Sequence, residues 1–576
     1  EFESHWAYNK PVRPTLPVIK DKNWPRNEID HFILAKLDAA ALRPTEEADR
    51  FALIRRLSLD LTGLPPTPEE ADAFAGNSSP KAYEELIDRL LDSKAYGEHW
   101  ARHWLDLVRY GETRGYEWNY EIIGAWRYRD YLIRAFNADV PYDQLVREHI
   151  AGDLLEEPRI NRDERINESV IGTAFYRLGE AGHDDCIQFR GIALDVMDNQ
   201  IDTLTKTFQA LTVSCARCHD HKLDPIPTED YYGLYGILNS SRVVVHTIDT
   251  AEVNAKETAT LSRLKLEIRS ELAKIWLGEA KDAAQYLRSV APSSAPGQAS
   301  IAEGLDTDRL EAWRNAVHCS EQGLANPGHP WAALSDDAGD RSQESFQAVS
   351  RELADRYRRE LAERAEFNAA NFQPLADFRS ENGGGWQASG MGLRQGPVPS
   401  GEFAVAPAGD RAVSGVFPAG LYTHTLSSRL TGALRSPTLP KSKKYLSLRA
   451  MGGMLGAHRK VIDNCAIGEK YKILSSDSLK WSKLETEAEQ KQLPVFVELV
   501  TKWENPRIPD RPKRLKAPPG QIESPASYFG VVEAVLHDVD ETPREELSHM
   551  MRLFETAPPS DWNDLAARYA AAVRTA

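Results

Sequence analysis

Two thiols and two imidazoles crowd into one short stretch, Ser214-Cys215-Ala216-Arg217-Cys218-His219-Asp220-His221-Lys222. It holds two of the five cysteines and two of the fifteen histidines in 576 residues. Cys-x-x-Cys-His is the covalent attachment signal of a c-type haem: two thiols form thioethers to the porphyrin vinyl groups and the next imidazole binds iron. Residues three apart on a helical turn share a side, which brings both sulfurs to one macrocycle edge and aims the following His at the metal. On this reading Cys215 and Cys218 anchor one haem c and His219 is the proximal iron ligand. His221 lies too close in sequence to reach the opposite haem face, so it supports the ligand or a propionate instead.

The iron's other face decides between electron transfer and chemistry at an open site. The candidate distal ligands are His103, Met197 and His183, with His99 beside His103 at helical i, i+4 spacing. Two rival chemistries use the same residues. Zinc takes Cys215, Cys218 and His219 or His221 as soft and borderline ligands, but no second Cys-x-x-Cys or His pair follows at finger spacing. A dithiol redox centre uses the cysteines alone, and normally sits at a helix start after a strand. Asp195, Asp198 and Asp202 fall at i, i+3, i+7 just before the motif; they are a candidate calcium site or, more ordinarily, salt-bridge partners.

The elements that must position these groups follow from periodicity and punctuation. Residues 1–30 are rich in Pro and aromatics and read as an extended arm. Residues 31–245 read as a helical domain. Phe51, Ile54, Leu57 and Leu61 repeat at helical spacing, Gly63 with Pro65-Pro66 stops that helix, and Thr67-Pro68-Glu69-Glu70 starts the next with a capping box. His99 to Tyr110 is an aromatic-rich helix, and Trp118, Trp126, Tyr128, Tyr131 and Phe136 add rings that suit the walls around a flat cofactor. A long helix through Ile192, Val196, Ile201, Leu204 and Phe208 runs to the Cys pair. Residues 246–370 read as a helical hairpin or spacer, carrying Leu261, Leu264, Ile268, Leu272 and Ile275 at coiled-coil spacing. Residues 371–540 turn to Gly, Pro and short β-type runs and read as a β-sandwich. Residues 541–576 read as a helical tail that opens a further domain. The fold class expected is therefore multidomain α + β: a mainly α-helical haem domain, a helical hairpin or spacer, then an all-β sandwich.

Composition narrows the function classes. Hydrophobic content of 41% and charged content of 27% are those of an ordinary globular protein. A net charge of -16 argues against nucleic acid or an anionic membrane surface as partner. No apolar run is long enough to span a bilayer, and Glu1-Phe2-Glu3-Ser4 carries no leader pattern. Cys186, Cys319 and Cys465 allow at most one disulfide among themselves. No Ser-His-Asp order, paired-carboxylate signature or phosphate loop stands out, and Gly383-Gly384-Gly385 lacks the following Lys that such a loop needs.

Three long motifs carry a family resemblance: Leu53 to Glu70, Trp100 to Leu107, and Cys215-Ala216-Arg217-Cys218-His219-Asp220-His221-Lys222-Leu223-Asp224-Pro225-Ile226. In this order they resemble the planctomycete cytochrome c-like domain family over residues 5–245. Residues 372–535 look similar to the laminin-G or lectin-like sandwich that often follows in that family. The resemblance implies haem binding through Cys215, Cys218 and His219 and a periplasmic or cell-surface location. The expectations are then ranked. First comes a periplasmic c-type haem protein in electron transfer, with a redox partner protein or further haem subunits. Second is a haem-dependent oxidative enzyme acting on polysaccharide. Third is a non-catalytic surface or assembly protein with structural haem or zinc, whose sandwich binds glycan.

Overall fold

The computed structural model describes residues 8–115, 121–179, 190–241, 244–291, 304–317, 323–337, 343–380, 383–406, 411–462, 465–486, 493–504 and 517–575. The chain is a mixture of helices and antiparallel sheets and divides into two compact units, Glu1–Val243 with Ile248–Thr250 and Val244–Thr247 with Ala251–Ala576. Among the described residues no helix is long and apolar enough to cross a membrane.

The first unit is helical: α1 (Glu28–Ala39), α2 (Arg50–Thr62), α3 (Pro68–Gly76), α4 (Ala82–Leu91), α5 (Lys94–Leu107), α6 (Ala125–Asn137), α7 (Tyr142–Ala151), α8 (Glu168–Gly172), α9 (Arg190–Gln209) and α10 (Thr228–Ser240). A two-residue ribbon, β1 (Ile160–Asn161) with β2 (Ile166–Asn167), precedes α8. Local chemistry sets the boundaries. Gly63, at φ +68°, ends α2 in a conformation that costs glycine little. At the start of α3 the Thr67 hydroxyl accepts from the Glu70 N–H at 3.2 Å while the Glu70 carboxylate accepts from the Thr67 N–H at 2.9 Å. A small apolar cluster of Ile54, Phe74, Ala82, Leu86 and Leu90 joins α2, α3 and α4.

Several of the aromatic residues expected to suit a cofactor wall pack into the core of this unit. Tyr128 and Tyr131 are fully buried, and Trp104 meets Phe208, His149 and Phe136 at ring separations of 5.6, 5.4 and 6.4 Å. These rings pack on one another and form much of the core of this unit. Trp126 is exposed, and Trp118 lies outside the described residues.

The second unit combines a helical module with a sandwich. Helices α11 (Ala255–Ser289), α12 (Thr307–Val317), α13 (His329–Asp337) and α14 (Gln343–Asn371) precede the strands, and α15 (Trp562–Thr575) follows them. Residues 246–370 are more than a spacer here. Leu287, Trp331, Leu334, Phe346, Leu353 and Tyr357 share one core with Leu547, Phe554 and Leu565. The tail thus returns to close the helical module. The coiled-coil stripe pairs only in part: the C-terminal part of α11 is buried at Ala283, Tyr286 and Leu287, whereas Leu261, Leu264 and Ile275 stay exposed.

The strands run β3 (Phe372–Asp377), β4 (Gln387–Ser389), β5 (Glu402–Val405), β6 (Val413–Phe417), β7 (Leu421–Tyr422) and β8 (Ala433–Arg435). They continue with β9 (Tyr445–Gly453), β10 (Ala457–Ile462), β11 (Cys465–Ile473), β12 (Ser476–Glu485), β13 (Val495–Val500) and β14 (Tyr528–His537). One sheet has the order β11-β10-β13-β8-β4, the other β12-β9-β14-β3, with β7 also on β14. Leu434, Val497 and Leu499 of the first sheet pack with Leu446, Leu448, Phe529 and Leu536 of the second, the sandwich-like arrangement expected of alternating strands.

Candidate functional site

Helix α9 is the element on which the Cys-x-x-Cys-His stretch is mounted. It is held to the helical core by Gln200, which donates to the Tyr176 carbonyl at 2.9 Å, and by Thr207, which donates to the Leu107 carbonyl at 3.2 Å. After Gln209 the backbone reverses through Ala210 at φ +56°, and residues Val213–Arg217 wind into a 3-10 turn with Cys218 at its end. The sequence reading placed the motif on a helical turn; the turn is 3-10, whose three residues per turn superpose positions i and i+3. Burial shows that period directly. Val213 and Ala216 face inward against Ile201 and Tyr231, while Cys215 and Cys218 are exposed free thiols. Both sulfur-bearing side chains therefore leave the same outer face.

The acidic run on α9 clamps this turn. Arg217 pairs with Asp195 at 3.0 Å and with Asp198 at 3.4 Å, and Asp198 also accepts from Tyr231 at 2.8 Å and Ser214 at 3.3 Å. Asp202 pairs with Lys206 at 2.6 Å. The three carboxylates proposed for calcium thus face protein donors. Asp195 holds the Arg217 guanidinium protonated above its ordinary range, and burial, then Asp198, raises the Tyr231 hydroxyl. The Asp220 carboxylate accepts from the Thr228 N–H at 2.9 Å and so fixes the start of α10. Tyr8 of the N-terminal arm donates to Asp224 at 2.8 Å.

The two histidines have separate roles in this loop. His221 receives two backbone donors at Nδ1, from Leu223 at 3.2 Å and Asp224 at 2.7 Å, so its proton sits on Nε2 and points to the Thr212 hydroxyl at 2.9 Å. Only 7% of its side chain is exposed, and it is spent on stitching the loop closed. His219 is exposed, with Nδ1 2.7 Å from the Asp220 carbonyl. That contact places the proton on Nδ1 and leaves Nε2 with its lone pair available, the tautomer an iron ligand requires.

The three chemistries make different demands on these residues. Among the described residues no three His, Cys, Asp or Glu side chains converge as a metal cage, and His221 is already committed. A closed zinc site needs four converging ligands. Haem attachment needs only one nitrogen on the metal, with the two thiols directed at the porphyrin edge. A thiol pair at the end of a 3-10 turn that follows a helix also differs from the strand-to-helix setting of dithiol oxidoreductases.

The distal candidates are dispersed. His103 is exposed on α5, ring to ring with Trp100 and His99 at 5.3 Å each. Met197 is half-buried on α9, and His183, like Cys186 and Cys319, lies outside the described residues. None of the described candidates makes a hydrogen bond or ring contact with the motif. In the sandwich, Trp386 packs edge-on against Phe378 at 5.3 Å and Trp481 is half-buried.

Sequence reasoning missed a buried polar network on α7. Glu148, with no exposed surface, accepts from Tyr131 at 2.6 Å, Ser169 at 2.9 Å and both Arg159 nitrogens at 3.0 Å. His149 receives the Tyr128 hydroxyl at 2.7 Å on Nε2 and donates from Nδ1 to the Leu145 carbonyl at 2.7 Å. Burial pushes this imidazole down to about 4. The signal was legible: Leu145, Glu148, His149 and Gly152 form an i, i+3, i+4, i+7 inward stripe with charge in it.

Residues 28–243 match the PSCyt2 family model, a planctomycete-associated domain described as a protein of unknown function (DUF1549). The match spans the helices from α1 to α10 and includes the Cys-x-x-Cys-His stretch. No curated protein matches the chain.

Proposed function

We propose that the first unit is a c-type haem domain serving electron transfer outside the cytoplasm. Cys215 and Cys218 would hold one haem c covalently and His219 Nε2 would ligate its iron. The observation that supports this most is the 3-10 turn, which turns both thiols outward while the Asp220 carbonyl sets the His219 tautomer. Bound there, the haem would supply a one-electron couple. The protein's part is orientation. Val213 and Ala216 root the turn in the core, the Arg217 pairs with Asp195 and Asp198 prevent it from unwinding, and His221 locks the following loop. Because the thiols are exposed, the attached edge would lie at the surface, where a redox partner or a further haem subunit can approach. Exposed Leu223, Tyr232 and Ile237 in this segment offer apolar contact for such a partner.

Expression with a cytochrome c maturation system tests the attachment. Haem should stay with the chain through denaturing electrophoresis, fall when either Cys215→Ala or Cys218→Ala is introduced, and vanish in the double variant. A colourless chain, or haem that separates on denaturation, contradicts the proposal. Added cyanide or carbon monoxide then separates transfer from chemistry: a low-spin iron that resists both fits transfer, whereas ready binding favours the oxidative enzyme.

A further inference from the structure

We infer that helix α5 carries a second site, a surface position for one divalent transition-metal ion held by His99 and His103. The two imidazoles stand one helical turn apart, the i, i+4 spacing that brings two His ligands to the same metal. Their ring centroids are 5.3 Å apart with the planes at 85°. With a metal–nitrogen bond of about 2.0–2.1 Å, an imidazole centroid lies about 3.2 Å from the ion. Two rings on one metal are then about 4.5 Å apart at a right angle and about 5.2 Å apart at the tetrahedral angle. The pair on α5 stands at the tetrahedral end of that span.

The fold orients the rings. Gly63, at φ +68°, presents no side chain where His99 packs: a Cβ there would lie 2.5 Å from His99 Nδ1 and 3.1 and 3.2 Å from its ring neighbours Cε1 and Cγ. Nε2 therefore lies on the far edge of the ring, turned away from the end of α2. His103 is exposed, so its ring can rotate to bring a nitrogen to the same ion. Trp100 lies beside both imidazoles, at 6.2 and 5.3 Å between ring centroids, and gives the site an apolar flank. Asp106, three residues past His103 on the same helical face, adds a negative charge, and the net charge of -16 favours a cation over an anion. Imidazole nitrogens suit Zn²⁺, Ni²⁺ and Cu²⁺, and the general order of affinities puts Cu²⁺ tightest. Two protein nitrogens leave the other positions of the ion to water or to a small ligand. The pair thus has a role of its own, apart from distal haem ligation.

The test uses the full chain carrying Cys215→Ala and Cys218→Ala, so that neither free thiols nor haem competes for the metal. Calorimetric titration of this parent with zinc chloride should show a saturable site, and saturating Zn²⁺ should raise its Tm. Added Cu²⁺ should give a paramagnetic resonance spectrum with couplings to two imidazoles. His99→Ala and His103→Ala should each weaken binding at least tenfold and leave one imidazole coupled. Because His103 is exposed, His103→Ala keeps the fold, which an unchanged Tm without metal verifies. Absence of saturable binding overturns the inference. So does binding at parent strength in His103→Ala, which would place the ion elsewhere on the chain.

Discussion

At the scale of single residues, the chain separates exposed reactive groups from buried titratable ones. His149 is buried with a folded value of about 4, below the ordinary imidazole value near 6.5. The unfolded chain therefore takes up the proton first as pH falls. Stability from this residue is whole above pH 6.5 and is lost between about 6.5 and 4, with an order of 3 kcal/mol at stake. Ring signals of His149 in an NMR titration should stay those of the neutral imidazole through most of that window; a midpoint near 6.5 would contradict the burial argument. Glu148 works in the opposite sense. Although burial alone would raise it, hydrogen bonds from Arg159, Tyr131 and Gln144 hold it below its usual range, so its contribution is complete at neutral pH and fades in acid. Glu148→Gln leaves the half-buried Arg159 charge without its carboxylate, and should cost about 1.5–3 kcal/mol in denaturant unfolding of this unit. A loss below about 1 kcal/mol would mean that the pair is solvated in solution.

Element by element, what the sequence revealed was local and what it concealed was distant or three-residue in period. The capping box at Thr67 and Glu70 and the stop at Gly63 were legible because each is made by residues within one turn of each other. The 3-10 turn was not, since an α-helix and a 3-10 helix both bring Cys215 and Cys218 to one side, and five residues are too few to tell 3.6 from 3.0. The end of α9 was hidden for a different reason: its reversal uses Ala210 at φ +56°, a position that normally announces itself with glycine. Ala210→Gly should therefore stabilise the unit by about 1 kcal/mol, as relief of left-handed strain exceeds the added chain entropy. Thermal unfolding checks this, and a lower Tm would show that the Ala210 methyl group makes a contact worth more than the strain.

At the scale of the whole molecule, the change from helical to β-type composition near residue 371 was legible, but it falls inside the second unit, and the return of the tail was not legible. The apolar stripe of α15 could be read from its own residues; its partners Trp331 and Phe346 lie about two hundred positions upstream, and non-local packing leaves no local mark. Deleting residues 541–576 strips Leu547, Phe554 and Leu565 from the core shared with Trp331, Leu334 and Tyr357. Losing several fully buried apolar side chains at about 2–5 kcal/mol each exceeds what a marginally stable module can bear. The truncated chain should lose protease resistance across residues 255–371; retention of full resistance would contradict this view of the tail.

The claim on which the functional account rests is that Cys215, Cys218 and His219 hold haem c. The most direct measurement is the alkaline pyridine spectrum of the matured, purified chain in its reduced state. One haem per chain with the band position of two thioether bonds is the expected result, shifting to that of a single thioether in Cys215→Ala or Cys218→Ala. A spectrum without haem bands, or one that both single variants leave unchanged, would contradict the account.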